Sequence, residues 1–600
     1  MKQNFLKEKQ WNIVLLVFVL LSSIAAVSKI FIGFDIDEAY AVSMPYRFLQ
    51  NDRLFTDMWE VHQTSSFLPY VWIAAFVKLT GQNTYLVLFL RIVATVIHGV
   101  LAVVLYRIAH THFGRGFGAF LALLYFNFLP KWMSSLDFSM QQLWFLTLSI
   151  LFLYLGLYQK KKYGIFFSGI FLACGVLAYP GMVFAYPFIL WSIWKLTPQE
   201  CSDDRNKEQK YKNKSRFNNC ILLTMGCTII AAVFFCYLFS YMSVSELLEN
   251  IPMVFSDGSH QYDLATKVSI YLKQWLEVAV QSAILLIPAA VLTLIVQLLG
   301  RKSKKAAMST LTVFTMLFLL LSSGITVFAN VLGISWGPFR LQVRYLILFV
   351  LGFLLYHRIC KYSLSESQTG LERKLAKGVF WLLMIPSLGS FIGVLLASNV
   401  GPVSSASYLV IANIACVILL MLWIQLGLES FVHQIHIGIL FLFLLSLIMC
   451  KGYYVRVTEY APGNILEERM QISEGPAKGI WVYPEDYKRI MTDYMLMDAG
   501  VASGEKILFM GTESLNNLTA VSKASTFVSP TTISTPAFNE QWTTYFEEHK
   551  EKQPDVIFIA KNTIDNREKF FAQNDFGQWI AKHYNVEDMI DTQYLCIIRK

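Results

Sequence analysis

The sequence is poor in charge. Asp, Glu, Lys and Arg make up only 15% of its 600 residues, whereas 55% are hydrophobic. The mean hydropathy of +0.48 excludes an ordinary soluble enzyme. Apolar runs of about 18 or more residues recur along the chain, and each is long enough to cross a hydrocarbon core of ~30 Å. The sequence therefore predicts a mostly α, polytopic transmembrane helical bundle of about 13 spans.

Paired cysteines, nucleotide motifs and repeats are also missing. The nine cysteines are scattered without a C-x-x-C pair or metal-ligand spacing, which argues against a zinc module or a disulfide framework. Gly504 and Gly511 flank a predicted strand without a phosphate-loop pattern, so a nucleotide fold is not supported. No internal repeat is visible, although transporters often consist of two halves of similar pattern.

The basic residues that are present fall mostly in alternate loops. Lys2, Lys7 and Lys9 precede the first apolar run, and further clusters follow at 160–162 and 301–305. This is the positive-inside bias of a multi-pass protein of the cell membrane, and it predicts a cytoplasmic N-terminus. We attribute the net charge of +9 to these basic loops, which orient the chain in the lipid bilayer. No nucleic-acid partner is therefore expected. The first run (Trp11 to Ile32) lacks a clear cleavage site and is predicted to be a retained span.

The composition changes at Lys451. Residues 1–450 are predicted to form the transmembrane domain, with long external loops at 33–82 and 241–274. Residues 451–600 are polar and alternate short β-type runs with helix-like stretches, which is typical of a small α/β domain. By the span count this C-terminal domain is extracytoplasmic. The β-type runs are 480–483, 506–510, 555–560 and 594–598, and the helix-like stretches are 484–499, 539–549 and 566–579.

Three carboxylates follow the first span within four positions: Asp35, Asp37 and Glu38. Acidic groups beside a bilayer are costly to keep and usually functional, although a solvated acidic loop is the plain alternative. In an extended segment Asp35 and Asp37 point to the same side. We expect them either to share a divalent cation or to supply a general base.

Three further groups are candidates on the same face. The segment Trp59 to Ser66 contains Glu60, His62 and Gln63, either as site residues or as a polar loop with an incidental histidine. Asp137 precedes span 4, where an isolated aspartate is more often a helix N-cap. A mixed group in the second external loop, Asp257, His260 and Asp263, is a weaker metal candidate.

Arg340 and Arg344, with Tyr345, lie at the predicted outer mouth of span 10. An arginine at a membrane edge commonly extends its head group to the interface and does nothing more. Two arginines four residues apart, however, share one helix face, and guanidinium groups suit phosphate oxygens. A lipid-linked phosphate is the ligand we expect there.

The order of these features resembles the GT-C superfamily of polytopic glycosyltransferases. The closest likeness is to the branch of protein O-mannosyltransferases and lipid A aminoarabinose transferases. It rests on Asp37-Glu38-Ala39-Tyr40 after span 1, His62 to Tyr70, Leu90-Arg91, and Arg344-Tyr345. Two lysines of the aminoarabinose branch are absent, because this chain has His62-Gln63 and Tyr179-Pro180-Gly181 in their places. Arg340 and Arg344 are therefore the better phosphate candidates.

This resemblance implies transfer of a hexosyl or pentosyl group from a polyprenyl-phosphate donor. The acceptor would be a glycan, lipid or protein on the outer face, and the anomeric carbon would be inverted. Asp37 would act as the base with Glu38 and Asp35 in support. The acceptor side would be shaped by Asp137, His62, Gln63 and Glu60, and Arg340, Arg344 and Tyr345 would hold the phosphate.

Two alternatives stay open at this stage. The branch is not thought to require a metal, so no cofactor is expected, but the Asp35-x-Asp37 spacing leaves a divalent cation such as Mg or Mn possible. The alternative function is a multi-span transporter or lipid-linked sugar flippase. A transporter would place charges and broken helices near mid-bilayer, whereas the charge here is external.

Overall fold

The computed structural model describes residues 8–34, 36–131, 133–197, 205–254, 264–300, 310–331, 337–361, 369–398, 401–426, 430–456, 462–464, 467–511, 513–519, 536–564 and 567–600. Most of this chain is helical. The helices of the first 453 residues are α1 Glu8–Phe31, α2 Ile36–Arg47, α3 Phe67–Thr80, α4 Leu86–Phe113, α5 Arg115–Asn127, α6 Phe138–Tyr158, α7 Lys162–Ala178, α8 Ala185–Leu196, α9 Arg205–Leu238, α10 Val244–Val254, α11 Leu264–Gly300, α12 Thr310–Val331, α13 Gly337–Lys361, α14 Thr369–Val379, α15 Ile385–Ala397, α16 Gly401–Ser405, α17 Val410–Gln425 and α18 Ser430–Tyr453.

The transmembrane character of the chain is confirmed. Within the described residues, 9 helices are long and apolar enough to span a membrane, or 10 if the bent pair Gly401–Tyr408 and Val410–Gln425 forms one span. All of the predicted spans fall on helices. Three of them, α5, α7 and α8, have only 13, 17 and 12 residues, which is short of the ~20 that a perpendicular span needs.

Close helix contacts at glycine hold the bundle together. A Cβ atom on Gly169 of α7 would lie 2.0 Å from the carbonyl oxygen of Leu223 on α9, and one on Gly226 would lie 2.1 Å from the carbonyl oxygen of Phe166. Any larger residue at these two positions would push the backbones apart. Small residues at such crossings are the usual route to tight packing between transmembrane helices.

The first external segment differs from the prediction. The sequence analysis predicted no helix directly after the first apolar run, but residues 36–47 form helix α2. Ala39, Val42 and Tyr46 recur at helical spacing and are buried against the bundle, so packing favours the helix. The acidic residues at its first turn suit the positive end of the helix dipole. The predicted short helix over 67–79 is confirmed as α3.

The C-terminal region has the predicted α/β character. Strands β5 and β6 are parallel, and β8 and β7 continue the sheet antiparallel in the order β5-β6-β8-β7. The buried faces of these strands are aliphatic and aromatic, which is typical of a covered sheet. The elements are β1 Tyr454–Arg456, β2 Pro462–Asn464, β3 Met470–Gln471, β4 Trp481–Val482, α19 Pro484–Ala502, β5 Ile507–Met510, α20 Pro536–Glu548, β6 Val556–Ala560, α21 Arg567–Gln573, α22 Asp575–His583, β7 Ile590–Asp591 and β8 Leu595–Arg599.

The C-terminal region packs directly on the first external segment. The Ser43 hydroxyl of α2 donates to the carbonyl of Ser514 at 2.7 Å. The Tyr545 hydroxyl donates to the Asp57 carboxylate at 2.5 Å, in a contact that is buried. The Lys552 ammonium lies 2.9 Å from the Asp52 carboxylate. These polar contacts surround an apolar cluster in which Trp59 packs edge-on against Tyr545.

Candidate functional site

Of the two described carboxylates of the acidic cluster, Asp37 and Glu38, Asp37 is the accessible one. It lies in the first turn of α2, and its side chain keeps 30% of its surface exposed. One carboxylate oxygen accepts a hydrogen bond from the Lys131 ammonium at 2.7 Å. Lys131 comes from the short loop between α5 and α6, so the contact joins two segments 94 residues apart in the sequence. A carboxylate that is positioned by an ion pair and stays partly exposed can serve as a general base.

Asp137 is the second carboxylate around Lys131. Its oxygen lies 3.8 Å from the Lys131 ammonium, and its side chain is almost fully buried. It also accepts from the backbone N–H of Met140 at 2.8 Å and from the Ser135 hydroxyl at 2.7 Å. Asp137 is therefore the N-cap of α6. Its carboxylate also lies near Lys131, the cation that contacts Asp37.

Aromatic rings line the approach to this ion-pair group. The Lys131 ammonium lies 4.1 Å from the centroid of the Phe138 ring. The His62 imidazole stacks on Phe138 with centroids 3.7 Å apart and planes 9° apart. The Tyr179 ring lies 5.1 Å from His62, and Tyr408 lies 5.9 Å from Tyr179. Aromatic faces of this kind suit the apolar C–H face of a sugar ring.

Glu38 is engaged elsewhere. Arg91 of α4 binds it through two parallel contacts, Nε to Oε1 at 2.7 Å and Nη2 to Oε2 at 2.6 Å. The same guanidinium donates to the carbonyls of Ile30 and Gly33, at the end of α1 and in the turn after it. The arrangement favours a structural role for Glu38, namely fixing the turn that presents Asp37.

Two of the predicted acceptor-side residues support the loop. The Glu60 carboxylate accepts from the Tyr40 hydroxyl of α2 at 2.7 Å, and the Gln63 side chain accepts from the backbone N–H of Phe55 at 2.8 Å. Both are buried. They hold the segment that carries His62, which itself contacts the aromatic group beside Lys131.

The predicted phosphate residues all belong to α13. Arg344 is buried in α13, and its Nη1 lies 3.4 Å from the Thr326 hydroxyl of α12 and 3.3 Å from the Ser446 hydroxyl of α18. Within the described chain its Nε and Nη2 have no hydrogen-bond partner. The adjacent Tyr345 packs against Phe128, in the loop that leads to Lys131. Arg340 lies in α13, but its side chain is outside the described residues.

Metal ligands are not assembled in the part of the chain that the structure describes. No group of three or more His, Cys, Asp or Glu side chains there is placed to hold a metal ion. Asp35 lies outside the described residues, as do Asp257, His260 and Asp263. Asp37 itself lies in the first turn of α2 and not in an extended segment.

Lys131 and Arg91 are functional candidates that sequence reasoning did not place in the site. Arg91 has a recognisable signal, because a charge inside an apolar span needs a buried partner. Lys131 has none, since a single lysine in a short loop is unremarkable. Only the fold brings it to Asp37.

Comparison with solved structures finds two proteins to which this chain is similar. It matches the Archaeoglobus fulgidus oligosaccharyltransferase tethered to an acceptor peptide with 12% identity and a TM-score of 0.45, covering 97% of this chain and 73% of that one. It matches ArnT from Cupriavidus metallidurans in the apo state with 10% identity and a TM-score of 0.40, covering 98% of both chains. No protein-family model and no curated protein matches the sequence. At this level of similarity, the likeness assigns no role to any residue of this chain.

Proposed function

We propose that the protein is an integral membrane glycosyltransferase that uses a polyprenyl-phosphate-linked sugar as donor. The observation that carries this proposal is the Asp37–Lys131–Asp137 group. It combines a partly exposed carboxylate, a cation at 2.7 Å and a buried second carboxylate beside an aromatic surface. The motif resemblance of residues 37–40 to GT-C transferases supports the same reading.

In the proposed reaction, Asp37 accepts the proton of an acceptor hydroxyl. The hydroxyl oxygen forms a bond to the anomeric carbon from the face opposite the phosphate. The bond from that carbon to the phosphate oxygen breaks, and its electron pair leaves with the polyprenyl phosphate, which inverts the anomeric centre. General-base assistance of this kind typically contributes about 10²–10⁴-fold.

Lys131 has two roles in this proposal. It positions the Asp37 carboxylate through their 2.7 Å contact, and its ammonium is near enough to the reaction centre to stabilise developing negative charge on the leaving phosphate. Asp137 holds the lysine in place through their 3.8 Å contact. Arg344 is the proposed further phosphate contact, because two of its buried donors have no partner in the described chain. Arg340 is proposed on sequence position alone.

The orientation of the reaction is also part of the proposal. The positive-inside bias supports a position on the outer face for the loop of Asp37 and for the C-terminal region. Lipid-linked sugars rather than nucleotide sugars are the donors expected there. In this proposal the donor sugar is a hexose or a pentose, and the acceptor is a glycan, a lipid or a protein.

Donor profiling tests the proposal. Purified full-length protein is incubated with a panel of polyprenyl-phosphate hexoses and pentoses plus membrane extract as acceptor source, and release of free polyprenyl phosphate is measured. We expect release from at least one donor, and none from the Asp37→Asn variant. Donor movement across proteoliposome membranes without carrier release would instead support the flippase alternative.

A further inference from the structure

A large apolar cavity lies far from Asp37. It has a volume of about 340 Å³ and is walled by α4, α5, α6, α14 and α17. Ligand pockets typically measure about 300–1,000 Å³, so this cavity is large enough for a specific occupant. Along α6 it contacts Thr147 to Tyr158, whereas the Asp137 cap is at the other end of that helix. At about 1.5 Å per residue the two sites are roughly 15–30 Å apart.

The cavity wall is suited to hydrocarbon. Its deepest polar groups satisfy each other, since the Tyr125 hydroxyl lies 3.1 Å from the Thr147 hydroxyl. Nearer the mouth, the His112 imidazole lies 2.7 Å from the Tyr154 hydroxyl. A polar ligand would find few unsatisfied partners here. The side chains around an empty void lack van der Waals partners on one side. A flexible alkyl chain would supply those contacts.

The mouth is basic. Among the described residues that line the cavity, Lys374 is the only lysine or arginine, and none is Asp or Glu. Within the described residues, Lys374 has no carboxylate partner, and neither do the exposed lysines 160–162 that follow the cavity residue Tyr158. Cations without a carboxylate partner beside an apolar cavity match the charged head group and the apolar chain of an anionic lipid.

We propose that this cavity binds one acyl chain of an anionic phospholipid, with the lipid phosphate at Lys374 and the neighbouring lysines. The bound lipid fills the end of the bundle that carries the basic loops and joins α4 and α6 to α14 across the void. This site is separate from the donor site at Asp37, and it does not depend on what reaction the protein catalyses.

Thermal unfolding of delipidated, full-length protein in detergent tests the proposal. A lipid that binds only the folded state raises the unfolding midpoint. The probes are phosphatidylglycerol, phosphatidylcholine with the same acyl chains, and polyprenyl phosphate. We expect phosphatidylglycerol to raise the midpoint by several degrees more than phosphatidylcholine does, and native mass spectrometry to find about one tightly held anionic phospholipid on protein that has not been delipidated.

Two matched pairs of variants locate the effect. Leu105→Trp fills the cavity and should abolish the midpoint shift, whereas Val103→Trp, on the exposed face of the same helix, should keep it. Lys374→Gln should remove the difference between the two phospholipids, whereas Lys377→Gln should preserve it, because Lys377 does not line the cavity.

Equal shifts from both phospholipids in the unaltered protein would overturn the proposal. So would a larger shift from polyprenyl phosphate that Leu105→Trp abolishes, because the cavity would then hold the donor chain. If Leu105→Trp does not fold, the mass spectrum of the unaltered protein decides: absence of retained anionic phospholipid contradicts the site.

Discussion

Glu38 and Arg91 form a buried two-point ion pair, with Nε–Oε1 at 2.7 Å and Nη2–Oε2 at 2.6 Å and both side chains at most 2% exposed. The pair ties α4 to α2 immediately beside Asp37. This ion pair holds Glu38 in a buried structural contact, whereas the adjacent Asp37 remains accessible. The two carboxylates should therefore respond differently to substitution.

Glu38→Ala should destabilise the protein by about 3–5 kcal/mol, because it leaves the Arg91 charge buried without its partner. The measurement is the unfolding midpoint of purified protein in detergent. The double variant Glu38→Leu with Arg91→Met should recover part of the loss, since an apolar pair needs no charge compensation. A Glu38→Ala variant as stable as the unaltered protein would contradict the structural role.

Asp37→Asn should abolish sugar transfer, with a loss of about 10²–10⁴-fold or more, and leave expression and unfolding midpoint unchanged. The side chain is partly exposed, so the amide is accommodated without a change of fold. The measurement is carrier release with the donor identified by profiling. Normal turnover by the folded Asp37→Asn protein would show that another group acts as the base.

Lys131→Gln should move the acid limb of the pH–activity profile to higher pH. A carboxylate that loses a cation at hydrogen-bond distance is protonated more readily, so the base is lost at a higher pH. Lys131→Arg, which keeps the charge, should retain the original acid limb. The profile of kcat/KM for free donor separates this effect from simple loss of folding, which would lower activity equally at every pH.

Tyr545→Phe should loosen the C-terminal region from the first external segment by about 1–3 kcal/mol, because the Asp57 carboxylate loses a buried donor. Burial and the nearby Asp57 charge raise the pKa of Tyr545, so its hydroxyl stays protonated and donates throughout the physiological range. Hydrogen exchange over residues 52–63 should quicken. Tyr594→Phe is the matched control, since its hydroxyl has no hydrogen bond within the described residues.

The stability of the C-terminal region should fall as the pH rises from about 4 to about 7. Burial raises the pKa of Asp493 from 3.8 to about 7, so over this window the folded state holds a proton that the unfolded state has released. Asp493→Asn should flatten the dependence and stabilise the protein above pH 7 by on the order of 1–3 kcal/mol. Thermal unfolding across this pH range is the measurement. An unchanged slope in the variant would assign the dependence to another group.

Much of the fold follows from the sequence because bilayer spans and strands depend on local pattern. Apolar runs located the helices, and the alternating runs after Lys451 located strands β4, β5, β6 and β8. The conformation of residues 36–47 could not be read in the same way. Their helix depends on the burial of Ala39, Val42 and Tyr46 against elements distant in the chain.

The candidate site, like the fold, could be predicted from the sequence only in part. The sequence by itself determined that Asp37 and Glu38 stand together after the first span, where carboxylates are costly. Only the tertiary structure decided which of them is accessible, because Arg91 and Lys131 reach them from α4 and from the loop before α6. Local propensity acts over a few residues, whereas these ion pairs form across 53 and 94 residues of chain. Their geometry is set by helix packing, which cannot be inferred from any short stretch of sequence.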